Sequence, residues 1–247
     1  AFAAGLIAER HRIPPERVAV IAQAVDTDRF DPAAVSPERV AALRYAWHID
    51  PNSRVVLAPG RLGPARGQLT LVDAARILVN GGLRRTVFVI AGDAADADSG
   101  EAIDRRIEAQ GLRPIFRRVG HCDDMPAAYA LADLVALPTE RPSIFSAIAA
   151  EAQAMGRPLI ASNIGALPEL VRAPPRDPEA SRTGWLVHPR DPLDLARTLA
   201  AALALGPEAR QAMIRRARQF AETNFSPERV AAATLAVYGA LLDNAGL

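Results

Sequence analysis

Two stretches, "RVVLAP" at residues 54–59 and "TVFVIAG" at 86–92, are almost entirely apolar and rich in β-branched side chains. A strand with one wet face alternates apolar and polar residues. Continuous apolar runs of this length therefore fit strands covered on both faces. Similar short runs predict strands at Val18–Ile21, Val55–Pro59, Val87–Ala91, Ile115–Val119, Leu134–Leu137, Leu159–Ala161 and Trp185–Val187. Between them, helical spacing predicts helices over Gln68–Asn80, Glu101–Gln110, Met125–Ala132, Phe145–Met155 and Leu167–Val171. Alternating units of this size imply an α/β chain, a Rossmann-like, doubly wound parallel sheet with helices on both faces. After Val187 the pattern is purely helical. "DPLDLARTLAAALALG" opens on the cap candidate Asp191 and closes at Gly206, and Ser226 before Pro227 marks the start of a last helix.

The opening "AFAAGLIAER" has neither an initiator Met nor a basic leader and reads as the middle of a helix. It predicts a chain that begins inside a longer protein. The expected organisation is a tail over 1–16, one α/β domain over 17–190, and C-terminal helices over 191–247 that complete it and reach toward a neighbouring domain. The 29 basic and 28 acidic residues nearly cancel, which argues against a general nucleic-acid surface. A single cysteine, Cys122, excludes an internal disulfide and any multi-cysteine metal site. The longest uncharged run, Val230 to Leu242, is shorter than the ~18 residues a spanning helix needs.

Open parallel sheets bind ligands at the carboxyl ends of their strands. Four such ends carry chemistry. In "PGRLGPARGQ", Gly60, Arg61 and Arg66 precede a helix start, where two guanidiniums can grip a diphosphate through charge-assisted hydrogen bonds, unless they are solvated arginines on a tight turn. In "VIAGDA", Gly92 ends a strand and Asp93 follows; the acidic cluster Asp93, Asp96, Asp98 and Glu101 lacks the order of a calcium loop and reads as a solvated one. In "RVGHCDD", Gly120, His121 and Cys122 stand at a strand end. Adjacent His and Cys side chains project apart, so a loop lining a base pocket fits better than a Cys–His nucleophile, and Asp123 or Asp124 caps the next helix. In "LPTERPSIFSAIAAEAQAMGRPLIAS", Ser143 and Glu151 are eight residues apart, ~12 Å along a helix. That length lets the helix start meet a phosphate or sugar while Glu151 reaches a ribose; a solvated Glu151 is the alternative.

These pieces, in this order, resemble the C-terminal, donor-binding half of GT-B glycosyltransferases of the large group 1 family (retaining family 4). The stretches that carry the resemblance are "RVAVIAQAVDTDRFDP", "VVLAPGRLGPARGQLTLVDA", "VIAGDA" and "LPTERPSIFSAIAAEAQAMGRPLIASNIGALPELV" continuing to "TGWLVHPRDP". They span nearly the whole chain. The resemblance implies that Arg61 contacts the donor diphosphate and that Arg66 stands where the family usually has lysine. It implies that Glu151 holds the ribose hydroxyls, and that Gly92, Asp93, Gly120, His121 and Cys122 lie at the nucleobase pocket. It also implies a UDP- or GDP-linked sugar as substrate, no separate cofactor and no metal. Transfer would be of a hexosyl-type group with retention, to a glycan or lipid-linked acceptor of polysaccharide or lipopolysaccharide synthesis. Its expected partner is a preceding acceptor-binding domain, and its expected place is cytoplasmic, peripheral at the inner face of the plasma membrane.

Departures from the family pattern cluster at the sugar end. The first glutamate of the family's E-x7-E motif is Ser143 here, and the glycines flanking Phe145 are Ile144 and Ser146. Ala24 and Ala166 replace two further glycines. Side chains there are expected to crowd a backbone that normally approaches the sugar. Glu140, three residues before Ser143, is the carboxylate that could substitute. The four histidines, His11, His48, His121 and His188, do not match the catalytic-site histidine of the preceding domain, so the chain alone is expected to be inactive. A degenerate domain that binds a nucleotide or a partner without transfer is the rival reading. A sugar-nucleotide epimerase is disfavoured by the "GRL" loop and the E-x7-E-like helix, and a dinucleotide-dependent dehydrogenase by the lack of any G-x-G-x-x-G after a strand.

Overall fold

The computed structural model describes residues 2–245. Its centre is a six-stranded parallel sheet of β1 (Arg54–Pro59), β2 (Thr86–Ala91), β3 (Phe116–Gly120), β4 (Leu134–Leu137), β5 (Leu159–Ser162) and β6 (Gly184–Val187). The spatial order is β3-β2-β1-β4-β5-β6, the arrangement of the doubly wound dinucleotide-binding folds. Because successive side chains point to opposite faces, each apolar run feeds two cores. Val55, Leu57, Val87, Val89, Val135 and Leu159 fill one, while Val56, Phe88, Ile90, Leu134 and Ile160 fill the other. Phe88 stacks on Phe116 with ring centroids 5.1 Å apart. Full burial of side chains of this size contributes about 1.5–3 kcal/mol each, which is why β1, β2, β4 and β5 carry no charge in their interiors.

Ten α-helices lie among the described residues: α1 (Phe2–His11), α2 (Pro37–Ala46), α3 (Gln68–Asn80), α4 (Ala97–Ala109), α5 (Met125–Leu131), α6 (Ala147–Ala154), α7 (Leu167–Leu170), α8 (Pro192–Leu203), α9 (Pro207–Phe225) and α10 (Pro227–Ala245). Buried residues of α5 and α6 cover the first face of the sheet; those of α3, α4 and α8 cover the second. On α6, the buried residues Ala149, Ala150, Ala152 and Ala154 leave little bulk between it and its neighbours, and α9 packs on it. The described helices include none long and apolar enough to cross a membrane.

Most expected elements appear within a few residues of their predicted bounds. The exception is Val18–Ile21, which forms neither strand nor helix; Val20 is 54% exposed. A run of β-formers becomes a strand only with a ladder partner. Helix α4 starts four residues before the expected Glu101 because Asp96 caps it, accepting from the Ser99 amide at 2.7 Å. Helix α6 starts at Ala147 rather than Phe145, capped by Ser146. Ile115 belongs to a 3-10 turn, so β3 begins at Phe116. Helix α2 was not expected, although Ser36 before Pro37 is the same start signal read at Ser226.

One glycine sets the approach of the loops at the mouth of the sheet. Gly67 caps α3 in a left-handed conformation (φ 75°), and a Cβ there would lie 1.8 Å from the Pro138 carbonyl oxygen. Gly82 has a positive φ of 93° with nothing within 4 Å. Gly82→Ala should therefore cost only conformational strain, about 1 kcal/mol, and Gly67→Ala strain plus overpacking, about 3 kcal/mol or more. Urea unfolding of the two variants checks this, and equal losses would count against the tight contact.

Candidate functional site

The order of the strands reverses between β1 and β4, so the loops leaving these two strands diverge and leave a crevice between them. One wall is the β1–α3 loop, with Gly60, Arg61 and Arg66; the other is Leu137–Pro138 with Ile148 of α6. Gly60 (φ 115°) packs so tightly that a Cβ would sit 2.8 Å from the Ile148 side chain. The Thr139 hydroxyl and the Glu140 amide both donate to the Ala65 carbonyl, at 3.1 and 2.9 Å, and tie the walls together. Gln68 holds the Arg61 carbonyl from the first turn of α3 at 3.2 Å. Both arginine side chains are exposed, and neither is held by a carboxylate among the described residues. The two guanidiniums are free to meet an anion.

Helix α6 begins at the same crevice, its first amides lying beyond Ser146, whose hydroxyl accepts from the Ala149 amide. One turn further along, Glu151 turns inward. The Tyr129 hydroxyl of α5 donates to Glu151 Oε2 at 2.8 Å. Tyr129 is fully buried and meets Phe30 edge to face, with centroids 6.0 Å apart. Burial pushes the Glu151 carboxyl above its ordinary range, against the opposing pull of the Tyr129 hydrogen bond and the charge of Arg29. With one oxygen held, the other can accept from a ligand hydroxyl.

At the other end of the crevice the Gly92 amide donates to the Gly120 carbonyl at 2.7 Å, joining the β2 and β3 ends. His121 is exposed, with Nδ1 3.6 Å from Asp93 and Nε2 3.2 Å from Asp123. Cys122 is half-buried against the first core, and burial pushes its thiol up. The imidazole therefore faces aspartates, and the thiol stays protonated. Asp124 is the cap of α5, accepting from the Ala127 amide at 3.1 Å, and Arg39 holds it bidentately.

The sugar end is built differently from expectation. The Ser143 hydroxyl donates to the Phe145 carbonyl at 2.5 Å within its own loop. Both oxygens of Glu140 are engaged, by the Thr70 hydroxyl at 2.8 Å and Arg190 Nε at 3.2 Å. The side chains at the former glycines bring no backbone strain: neither Ala24, Ile144, Ser146 nor Ala166 is among the described non-glycine residues with positive φ. Ile144 points outward, 60% exposed, and Phe145 packs against the first core. Gly165 is retained where it is needed, since a Cβ there would meet Ser143 N at 2.7 Å. The sequence reading missed Tyr129, Gln68 and Ile148, whose roles come from contacts between elements. Among the described residues no group of three or more His, Cys, Asp or Glu side chains could hold a metal ion.

Comparison with known proteins places this geometry. The family model described as "Glycosyl transferases group 1" matches residues 53–204. The D-inositol 3-phosphate glycosyltransferase of Salinispora tropica is 35% identical over 96% of this chain and 48% of its own length. The chain thus spans about half the length of the curated relatives it matches. Among solved structures, a glycosyltransferase from Rickettsia africae ESF-5 superposes with a TM-score of 0.91 at 25% identity, over 98% of this chain and 62% of the other. Anabaena Alr3699/HepE, determined in complex with UDP, superposes with a TM-score of 0.81 at 23% identity, over 95% of this chain and 60% of the other, which bears on the fold alone.

The raised carboxyl of Glu151 has a testable sign. Its folded form holds the proton more tightly than the unfolded chain does. The stability from this group is full at acid pH and is lost as pH rises through the folded pKa. Glu151→Gln keeps an acceptor for Tyr129 and removes the buried charge. It should melt at a higher temperature than the parent at pH 8, with the gap closing as pH falls through the ordinary carboxylate range. A gap that widens toward acid pH would contradict the assignment.

Proposed function

The chain belongs to the group 1 glycosyl transferases, and from that premise we propose that it binds a nucleoside-diphosphate sugar as the donor half of such an enzyme. The observation that carries this reading is the placement of two unengaged arginines at the strand-order reversal, opposite the helix that starts at Ala147 and carries the half-buried Glu151. In it, Arg61 and Arg66 grip the diphosphate and offset the charge that grows on it as the glycosidic bond breaks. The first amides of α6 add their positive dipole end. Glu151, aimed by Tyr129, accepts from the ribose hydroxyls, and the Gly92–Asp93 and Gly120–Cys122 loops border the base. Fixing the nucleotide at three points holds the anomeric carbon in place for attack.

UDP, with which the similarly folded Anabaena Alr3699/HepE was determined, is the first donor nucleotide to test. The half-length match to curated relatives supports an acceptor-binding partner domain elsewhere in the same protein, and the reading extends to hexosyl transfer, with retention of configuration, to a glycan or lipid-linked acceptor. A second reading, nucleotide binding without transfer, has its own observation: Ser143 turns its hydroxyl into its loop, and Glu140 is spent on Thr70 and Arg190.

Titration calorimetry separates the two. UDP or GDP should bind, and Arg61→Ala and Glu151→Ala should each weaken binding by about tenfold or more. Tighter binding of one sugar-linked form than of its bare diphosphate supports transfer; equal affinity supports the degenerate reading. Failure to bind any nucleoside diphosphate contradicts both.

A further inference from the structure

Far along the chain from the crevice residues, a cavity of about 350 Å³ opens between the 3-10 turn Glu179–Ser181, which precedes β6, and the second half of α9. Its lining includes Arg172, Arg216, Thr183, Gln219, Thr223 and Asn224, and no carboxylate. Several arginines elsewhere are matched to acids: Arg106 to Asp73, Arg118 to Asp104, Arg218 to Glu222. Here the nearby Glu179 is taken by Arg182, 2.7 Å away. Arg172 and Arg216 have no ion-pair partner among the described residues.

The Arg216 guanidinium is also held in place. Arg216 Nε donates to the Arg182 carbonyl at 2.9 Å, leaving its two terminal nitrogens uncommitted. Arg172 lies over the Phe220 ring, 4.8 Å from its centroid, and its backbone amide donates to Thr183 Oγ1 at 3.0 Å. Thr183 is buried, and its hydroxyl, which accepts from that amide, lies in the lining of the cavity. The Arg216 fork, fixed at Nε, and the Arg172 guanidinium lying over Phe220 suit the oxygens of a phosphate. The surrounding hydroxyls and amides suit a small hydroxylated remainder, and the volume suits a small metabolite. A nucleobase is a poor fit, because Arg172 already covers the face of Phe220.

We propose that this cavity is a second ligand site, distinct from the β1–β4 crevice, which binds the phosphate monoester of a small hydroxylated molecule through Arg172 and Arg216. The inference does not depend on the donor reading. The test is calorimetric titration of the 247-residue chain with glycerol 3-phosphate, beside co-sedimentation with vesicles containing phosphatidic acid. Saturable binding of the soluble ester is expected, weakened by about tenfold or more in Arg216→Gln and in Thr223→Asp and unchanged in Arg61→Ala. Thr223 is exposed, so a carboxylate there blocks the cavity without disturbing the core should Arg216→Gln fail to fold. Absence of saturable binding overturns the proposal. So does binding lost only in Arg61→Ala, which would put the ester in the crevice. Vesicle binding without binding of the soluble ester would assign the arginines to a lipid headgroup and overturn it as well.

Discussion

At Gly67 the start of α3 turns through a left-handed conformation directly against the Pro138 carbonyl, so closely that any side chain would overlap that oxygen. This contact presses the loop after β1 onto the loop after β4, and the bonds from Thr139 and Glu140 to Ala65 keep it there. The crevice inherits its width from that junction. Arg61 and Arg66 stand on one side, and Ile148 with the start of α6 on the other. Helix α6 can sit so near because its buried face is alanine, and it brings Glu151 to Tyr129. Two apolar cores hold the sheet, but the junction of two backbones decides where the chemistry stands.

The placement of charge follows a related logic. Around the exterior, arginines are matched to aspartates and glutamates in exposed pairs that contribute little stability. In the crevice Arg61 and Arg66 are left unmatched, and a carboxyl is drawn inward where burial disfavours its charge. A carboxyl buried away from water costs folding stability, and both it and the exposed cations gain when a ligand supplies the missing partners. Retaining both at one strand-order reversal is what a binding site requires and what packing alone does not explain.

Much of this was legible in the residues. Continuous apolar runs in "RVVLAP" and "TVFVIAG" gave a two-faced parallel sheet, and Arg61, Arg66 and Glu151 stood out through their positions at strand ends. The period of a run does not say whether a partner strand exists, so Val18–Ile21 read as a strand and proved to have no regular secondary structure. Nor does spacing show contacts across elements. Tyr129 sits among alanines with no local mark of its bond to Glu151, 22 positions away. The glycine replacements at Ile144 and Ser146 looked disruptive in sequence, yet both residues lack the positive φ that would make them so. At the sugar end Ile144 and Ser146 sit in ordinary backbone conformations, and the nearby carboxylate, Glu140, is already engaged.

The central claim is that a nucleoside diphosphate lies in the β1–β4 crevice, against the β1–α3 loop and the start of α6. Amide hydrogen exchange measured with and without saturating UDP tests it position by position. The account predicts slowed exchange at residues 60–67 and 146–149, with little change along α10. Saturating UDP that protects neither segment, or protects a region remote from the β1–β4 loops instead, would contradict it.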